Sequence, residues 1–146
     1  MDIFQIATKI FQDQPFTQHL GAELISMGER EAEIKLDIQD HFKQQHGFVH
    51  GGVVSYLADN SITFAGGIAL GGNSLTSEYK INYIRPAIGS YLLAKACAKS
   101  VGQTQATCVA EIYAVSDEGR KLCAIAQGTV VRDASWNPKK QKCWLS

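Results

Sequence analysis

The 146-residue chain has no excess of charge of either sign. Its 14 Lys and Arg residues balance its 14 Asp and Glu residues, so the formal net charge is +0. A neutral chain has no overall field that draws it to nucleic-acid phosphates or to an anionic membrane surface. We therefore expect neither nucleic acid nor a membrane as a partner, and any anionic ligand must be bound by local charge.

Cysteine motifs and targeting segments are missing as well. The four cysteines form no C-x-x-C pair; they are Cys97, Cys108, Cys123 and Cys143. This spacing predicts reduced thiols and argues against a metal site or a disulfide framework, and no cofactor is indicated. The first residues contain an acid at position 2 and no long apolar stretch, unlike a signal peptide or membrane span. We expect a cytoplasmic protein.

Length and composition predict one globular domain over residues 1–146. Hydrophobic residues make up 45% of the chain and charged residues 19%, which is typical of folded proteins and unlike disordered ones. No internal repeat or low-complexity tract occurs. The tail, about residues 133–146, has no periodicity and is expected to be loosely ordered.

The first half of the chain changes its periodicity twice. Apolar residues at three- and four-residue spacing predict an amphipathic helix at about 2–12, which would serve as a lid or brace. Residues 22–27 and 31–38 predict a β-hairpin, because the second run alternates apolar and polar side chains. Residues 39–52 then lose all periodicity and contain three histidines. We expect binding groups in this loop, since irregular segments commonly position them.

A long apolar helix is predicted at 53–70. Its few polar side chains, Ser55, Asp59 and Thr63, lie four residues apart and therefore share one stripe of a buried helix. Strands follow at 74–84, 90–100, 104–116 and 121–131, with turn residues between them. One long helix followed by four strands predicts an α+β fold in which a curved antiparallel sheet wraps the helix.

The sequence His50-Gly51-Gly52, followed by Asp59, carries the predicted chemistry. Glycines at a helix start expose backbone N–H groups without intrahelical partners, and the helix dipole adds positive charge there. Such a site can bind an oxyanion. If the helix begins near Gly51, Asp59 lies about 12 Å further along its axis. The two groups can meet only if a second chain brings its helix alongside, which predicts an active site at a dimer interface.

Residues 44–86 contain QQHGFVHGGVVSYLADNSITFAGG and LTSEYKINYIRP, and they resemble the hotdog thioesterases of the phenylacetate-pathway (PaaI-like) type. The resemblance extends over about residues 18–132. It implies an acyl-CoA substrate, no cofactor, and a homodimer or a dimer of dimers, that is, a homotetramer. The acyl group is left open.

The resemblance also implies roles for individual residues. The N–H group of Gly51 would polarise the thioester carbonyl, and Asp59 of the opposite subunit would act as nucleophile or general base. Thr76 would position the carboxylate or a water molecule, and His50 would shape the loop near the thioester. Gln44 stands where many family members have Asn, so its polar role and its effect on substrate preference stay open.

Coenzyme A contacts are implied at a second group of residues. Arg85-Pro86 and the turn Gly102-Gln103 resemble the family's contacts with the nucleotide, and Lys80 offers another cation for phosphate. Gly52 is expected to contact the substrate at the helix start.

Other interpretations stay open. Arg85 could be an ordinary strand-end charge, and His50 could simply hydrogen-bond within its loop. His41-Phe42 faintly resembles the motif of a hotdog acyl-thioester dehydratase, although the H-G-G-V context fits a thioesterase better. A non-catalytic acyl-CoA-binding protein is the alternative of another class.

Overall fold

A computed structural model describes residues 2–133 of the chain. A six-stranded antiparallel sheet, in the order β1-β2-β4-β5-β6-β3, packs against one 20-residue helix. The helices are α1 (Ile3–Gln12), α2 (Pro15–Leu20) and α3 (Gly51–Leu70), with a 3-10 turn at Asp40–Phe42. The strands are β1 (Glu23–Met27), β2 (Glu31–Asp37), β3 (Ser74–Tyr83), β4 (Tyr91–Val101), β5 (Gln105–Ser116) and β6 (Gly119–Arg132). The predicted α+β layout is confirmed.

The N-terminal helices begin with recognisable signals. Asp2 caps α1 in a capping box with Gln5, in which each side chain accepts a hydrogen bond from the other residue's backbone N–H. Helix α2 was not predicted, because its six residues are too few to display a helical period. It begins with Pro15, whose fixed φ suits the first position of a helix.

Small residues allow α3 to lie close to the sheet. The inward face of β4 consists of Leu92 and three alanines, all buried, as its alternation predicted. Gly66 of α3 faces Val130 of β6 so closely that a Cβ atom there would lie 2.7 Å from the valine Cβ. By length and apolar composition alone α3 could cross a membrane, but it packs on five strands of the sheet and is the core helix.

The cysteines within the described residues are free, as predicted. Cys108 and Cys123 are buried in strands β5 and β6, and burial raises the pKa of each thiol to about 11. Both are therefore protonated and unreactive near neutral pH. Cys143 and the tail predicted to be loosely ordered lie outside the described residues, apart from Asp133.

Candidate functional site at the two ends of the core helix

The start of α3 leaves one backbone donor unused. His50 is the N-cap, and its Nδ1 accepts a hydrogen bond of 2.8 Å from the N–H of Gly52. The N–H of Gly51 has no hydrogen-bond partner among residues 2–133. An unpaired N–H at the positive end of a 20-residue helix is suited to stabilising a developing oxyanion. Because its own N–H is already bonded, Gly52 is the weaker donor of the two.

Tyr83, at the end of β3, fixes the peptide that follows Gly51. Its hydroxyl donates a hydrogen bond of 3.2 Å to the Gly51 carbonyl, and a Cβ atom on Gly51 would lie 3.3 Å from the ring. The peptide between Gly51 and Gly52 is therefore held on both sides, by Tyr83 at the carbonyl and by His50 at the N–H. Sequence analysis missed Tyr83, since an aromatic residue near a strand end has no distinctive signal.

A cavity of about 350 Å³ opens beside Gly51. Four residues predicted for the site lie in its wall: Gln44, Gly51, Arg85 and Pro86. The remaining wall residues are mainly apolar: Phe48, Val49, Val54, Tyr83, Ile84, Ala87 and Cys123. The side-chain carbonyl of Gln44 accepts the His46 backbone N–H, which leaves its NH₂ group as the donor available to a ligand.

Asp59 lies two turns further along α3, half-buried on the polar stripe. The Thr63 hydroxyl lies 2.8 Å from the Asp59 backbone oxygen and 3.5 Å from Oδ1 of its carboxylate. It also lies 2.5 Å from the hydroxyl of Thr76 on β3. When Thr76 donates to Thr63, the proton of Thr63 points to Asp59. Thr76 thus reaches the carboxylate through Thr63, a residue to which the sequence assigned no role despite its spacing from Asp59.

Backbone irregularity accompanies Thr76. The pairing of β3 with β6 shifts between Thr76 and Glu78, which leaves Ser77 as the extra residue of a β-bulge. Bulges re-aim neighbouring side chains and are common beside functional sites. Here the bulge separates the half-buried Thr76, which contacts α3, from the exposed residues that follow it.

One chain does not bring all the predicted residues together. Gly51 and Asp59 are eight residues apart on α3, about 12 Å along its axis, and Asp59 is not in the wall of the cavity at Gly51. The Gly102-Gln103 turn lies at the end of β4, beside the end of β6, where Arg132 N–H donates to Thr104. Arg85 lies at the other end of β3, and Lys80 is exposed on the same strand.

Comparisons with known proteins follow this geometry. Residues 46–122, more than half of the chain, match the family described as the thioesterase superfamily. The chain belongs to the thioesterase superfamily. A solved thioesterase family protein of Silicibacter pomeroyi is 28% identical, with a TM-score of 0.83 over 88% of this chain and 96% of that one. The predicted hotdog fold is confirmed.

Two further relatives of this thioesterase-superfamily chain have informative names. The PaaI protein of the Escherichia coli phenylacetic acid degradation operon is 25% identical, with a TM-score of 0.81, covering 90% of this chain and 93% of that one. The 1,4-dihydroxy-2-naphthoyl-CoA hydrolase of Listeria monocytogenes is 26% identical over 111 residues, 76% of this chain and 89% of the relative. The resemblance to PaaI-like proteins is thus confirmed.

Proposed function

We propose that the protein is an acyl-CoA thioesterase that hydrolyses the thioester to a free acid and coenzyme A. The observation that carries the proposal is the pair of groups on α3, the unpaired Gly51 N–H and the half-buried Asp59 bonded through Thr63 to Thr76. A thioesterase needs an oxyanion donor and an activated oxygen, and these groups supply both. Membership of the superfamily and a relative that hydrolyses a CoA thioester support the same reaction.

The site requires two subunits, because 12 Å separates the two groups in one chain. Strand β3 is ten residues long and lies at an edge of the sheet. A long unprotected edge invites pairing with another strand. Antiparallel pairing of β3 with β3 of a second copy would set the two α3 helices side by side in opposite directions. Asp59 of one subunit would then approach Gly51 of the other, in a homodimer or a dimer of dimers.

Hydrolysis at this site has two routes. Asp59 can take a proton from water, whose oxygen then attacks the thioester carbon while the carbonyl electrons move to the oxygen held by Gly51 N–H. Alternatively, a carboxylate oxygen of Asp59 attacks the same carbon and forms a mixed anhydride, which water then hydrolyses. In both routes the C–S bond breaks, the sulfur leaves as thiolate, and it takes up a proton.

Coenzyme A has a matching surface near the helix start. Arg85, Pro86 and Gln44 lie in the wall of the cavity at Gly51, and the exposed Arg85 and Lys80 provide cations for its phosphates. In the proposed dimer, the Gly102-Gln103 turn of the subunit that supplies Asp59 would approach the same nucleotide. Free buried thiols at Cys108 and Cys123 are consistent with a cytoplasmic protein.

Paired substitutions at Gly51 test the oxyanion donor. Gly51→Pro removes the N–H, whereas the control Gly51→Ala keeps it and introduces the same Cβ contact with Tyr83. Both residues are acceptable at the first position of a helix. We expect kcat to fall about a hundredfold or more in the proline variant relative to the alanine variant. Equal rates in the two folded proteins would remove Gly51 from the mechanism.

Mixed oligomers test the shared site. Gly51→Pro and Asp59→Asn subunits should each be inactive alone, and a verified mixed dimer should recover activity, because one of its two interfaces combines two intact halves. No recovery would place the complete site within one chain.

A further inference from the structure

A second cavity, of about 490 Å³, lies at the far half of α3. We name it the isoleucine cavity, since Ile3, Ile6 and Ile10 of α1 face Phe64 and Ile68 of α3 across it, with Met27 of β1. Its volume is within the range of pockets that enclose small organic ligands. Resting on the proposed function, we propose that the isoleucine cavity is the acyl subsite and that it selects a neutral, apolar acyl chain.

The position of the cavity links it to the reacting carboxylate. Thr63 lies in its wall, and the same hydroxyl is the partner of Asp59 and Thr76. The cavity therefore begins one side chain away from Asp59. An acyl group whose carbonyl carbon is attacked at Asp59 has this apolar space directly beyond it.

Helix α1 presents two apolar stripes, and only one of them is in the core. Ala7 and Phe11 are buried, at 8% and 0% exposure. Ile3, Ile6 and Ile10 form the second stripe and are 61%, 45% and 49% exposed, although they face a cavity. Large aliphatic side chains left open around a concave space gain by burial against an apolar ligand.

The charge of the wall decides the class of acyl group. None of the cavity-lining residues in the described part of the chain is charged; the polar ones are Gln14, Thr63, Asn73 and Ser74. Arg132 comes close to Gly71, but its guanidinium donates to the Leu70 carbonyl and lies outside the wall. An ω-carboxylate inside the cavity would lose its hydration without gaining a cation, which is strongly unfavourable.

A polar network holds α1 in place over α3. Gln14 lies in the cavity wall, and its side-chain carbonyl accepts hydrogen bonds from Asn60 at 3.0 Å and from Thr17 at 2.6 Å. The hydroxyl of Tyr56 bonds to both Thr17 and Asn60, at 2.6 and 3.0 Å. Because Asn60 follows Asp59 on α3, this network sets the distance between the isoleucine stripe and the carboxylate.

Two pairs of substrates and two matched variants test the proposal. Hexanoyl-CoA and adipoyl-CoA have the same chain length and differ by a terminal carboxylate, and we expect kcat/KM to be at least about a hundredfold higher for hexanoyl-CoA. Decanoyl-CoA is compared with butyryl-CoA. Ile6→Trp fills the cavity and should lower kcat/KM at least about tenfold for decanoyl-CoA while changing it less than about twofold for butyryl-CoA.

The control Ile25→Trp introduces the same side chain on β1 at a residue of similar exposure, 41%, outside the cavity wall. It should leave the decanoyl-to-butyryl ratio unchanged. Comparable turnover of adipoyl-CoA and hexanoyl-CoA, or an equal effect of Ile6→Trp on both chain lengths, would overturn the subsite while the thioesterase activity stands.

Failure of the proposed function gives a different result, namely no hydrolysis of any of these CoA thioesters. Binding then still tests the cavity, through calorimetric titration of decanoyl-CoA and butyryl-CoA into the Asp59→Asn protein with and without Ile6→Trp. Weaker binding of decanoyl-CoA alone in the double variant supports the subsite, and unchanged binding overturns it.

Discussion

The two halves of α3 face different chemical surroundings. At its start, a cavity of about 350 Å³ combines an unpaired backbone N–H with Gln44 and Arg85, groups that can bind an anion. At its far half, the larger isoleucine cavity has an apolar, uncharged wall next to Asp59 and Thr63. An acyl-CoA has the same division, with a charged nucleotide at one end and an apolar chain at the other. One helix therefore offers a matching surface for each end of the substrate, but on opposite halves.

The largest effect is expected at Asp59. Asp59→Asn keeps the size of the side chain and removes the charge, so turnover of a good acyl-CoA substrate should fall by two orders of magnitude or more. Steady-state kinetics on protein with an unchanged circular dichroism spectrum measures this. As a control, Asp37→Asn alters an exposed carboxylate at the end of β2 and should have almost no effect. Near wild-type turnover in folded Asp59→Asn protein would contradict the assignment.

A smaller effect is expected for the hydroxyl relay beside Asp59. Thr63→Val removes the group that joins Thr76 to the carboxylate and should lower kcat between about threefold and tenfold, the range for one hydrogen bond. Thr63→Ser retains the hydroxyl and should restore most of the rate. If serine and valine behave alike, Thr63 contributes packing and does not position Asp59.

At the other end of α3, Arg85→Ala should mainly raise KM for acyl-CoA and change kcat little. A phosphate far from the scissile bond is held equally in the ground and transition states, so its contact contributes uniform binding. An acyl-N-acetylcysteamine thioester lacks the nucleotide and should be almost indifferent to the substitution. A fall in kcat that is equal for both substrates would instead assign Arg85 a structural or catalytic role, and Lys80 or Lys99 would become the candidates for phosphate binding.

The smallest effect concerns the stability of α1, which forms one wall of the isoleucine cavity. The hydroxyl of Thr8 is buried and has no hydrogen-bond partner among the described residues. A buried unsatisfied hydroxyl is unfavourable, so the nearly isosteric Thr8→Val should raise the free energy of unfolding by about 1 kcal/mol. Urea denaturation measures the change. A loss of stability would indicate that the hydroxyl has a partner in the assembled protein.

Periodicity explains how much of the fold was accessible before the structure. The alternation in β2 and β4 and the apolar run of α3 depend on which face of each element is buried, and this is written locally in the chain. Helix α2 and the two-residue advance of the start of α3 to Gly51 were not predicted. The helix begins at Gly51 because His50 caps it, and a glycine pair alone does not reveal where capping occurs.

For the candidate site, the sequence by itself determined the residue types and their order: His50-Gly51-Gly52, Asp59 one helix stripe further, and Thr76 on the next strand. These follow from local spacing, because residues on one helix are related by a fixed rise and rotation. Only the tertiary structure decided that Thr63 joins Thr76 to Asp59, that Tyr83 and His50 fix the peptide after Gly51, and that α1 encloses an uncharged cavity. Each of these contacts joins separate elements of the fold, and their distance depends on how the helices pack on the sheet.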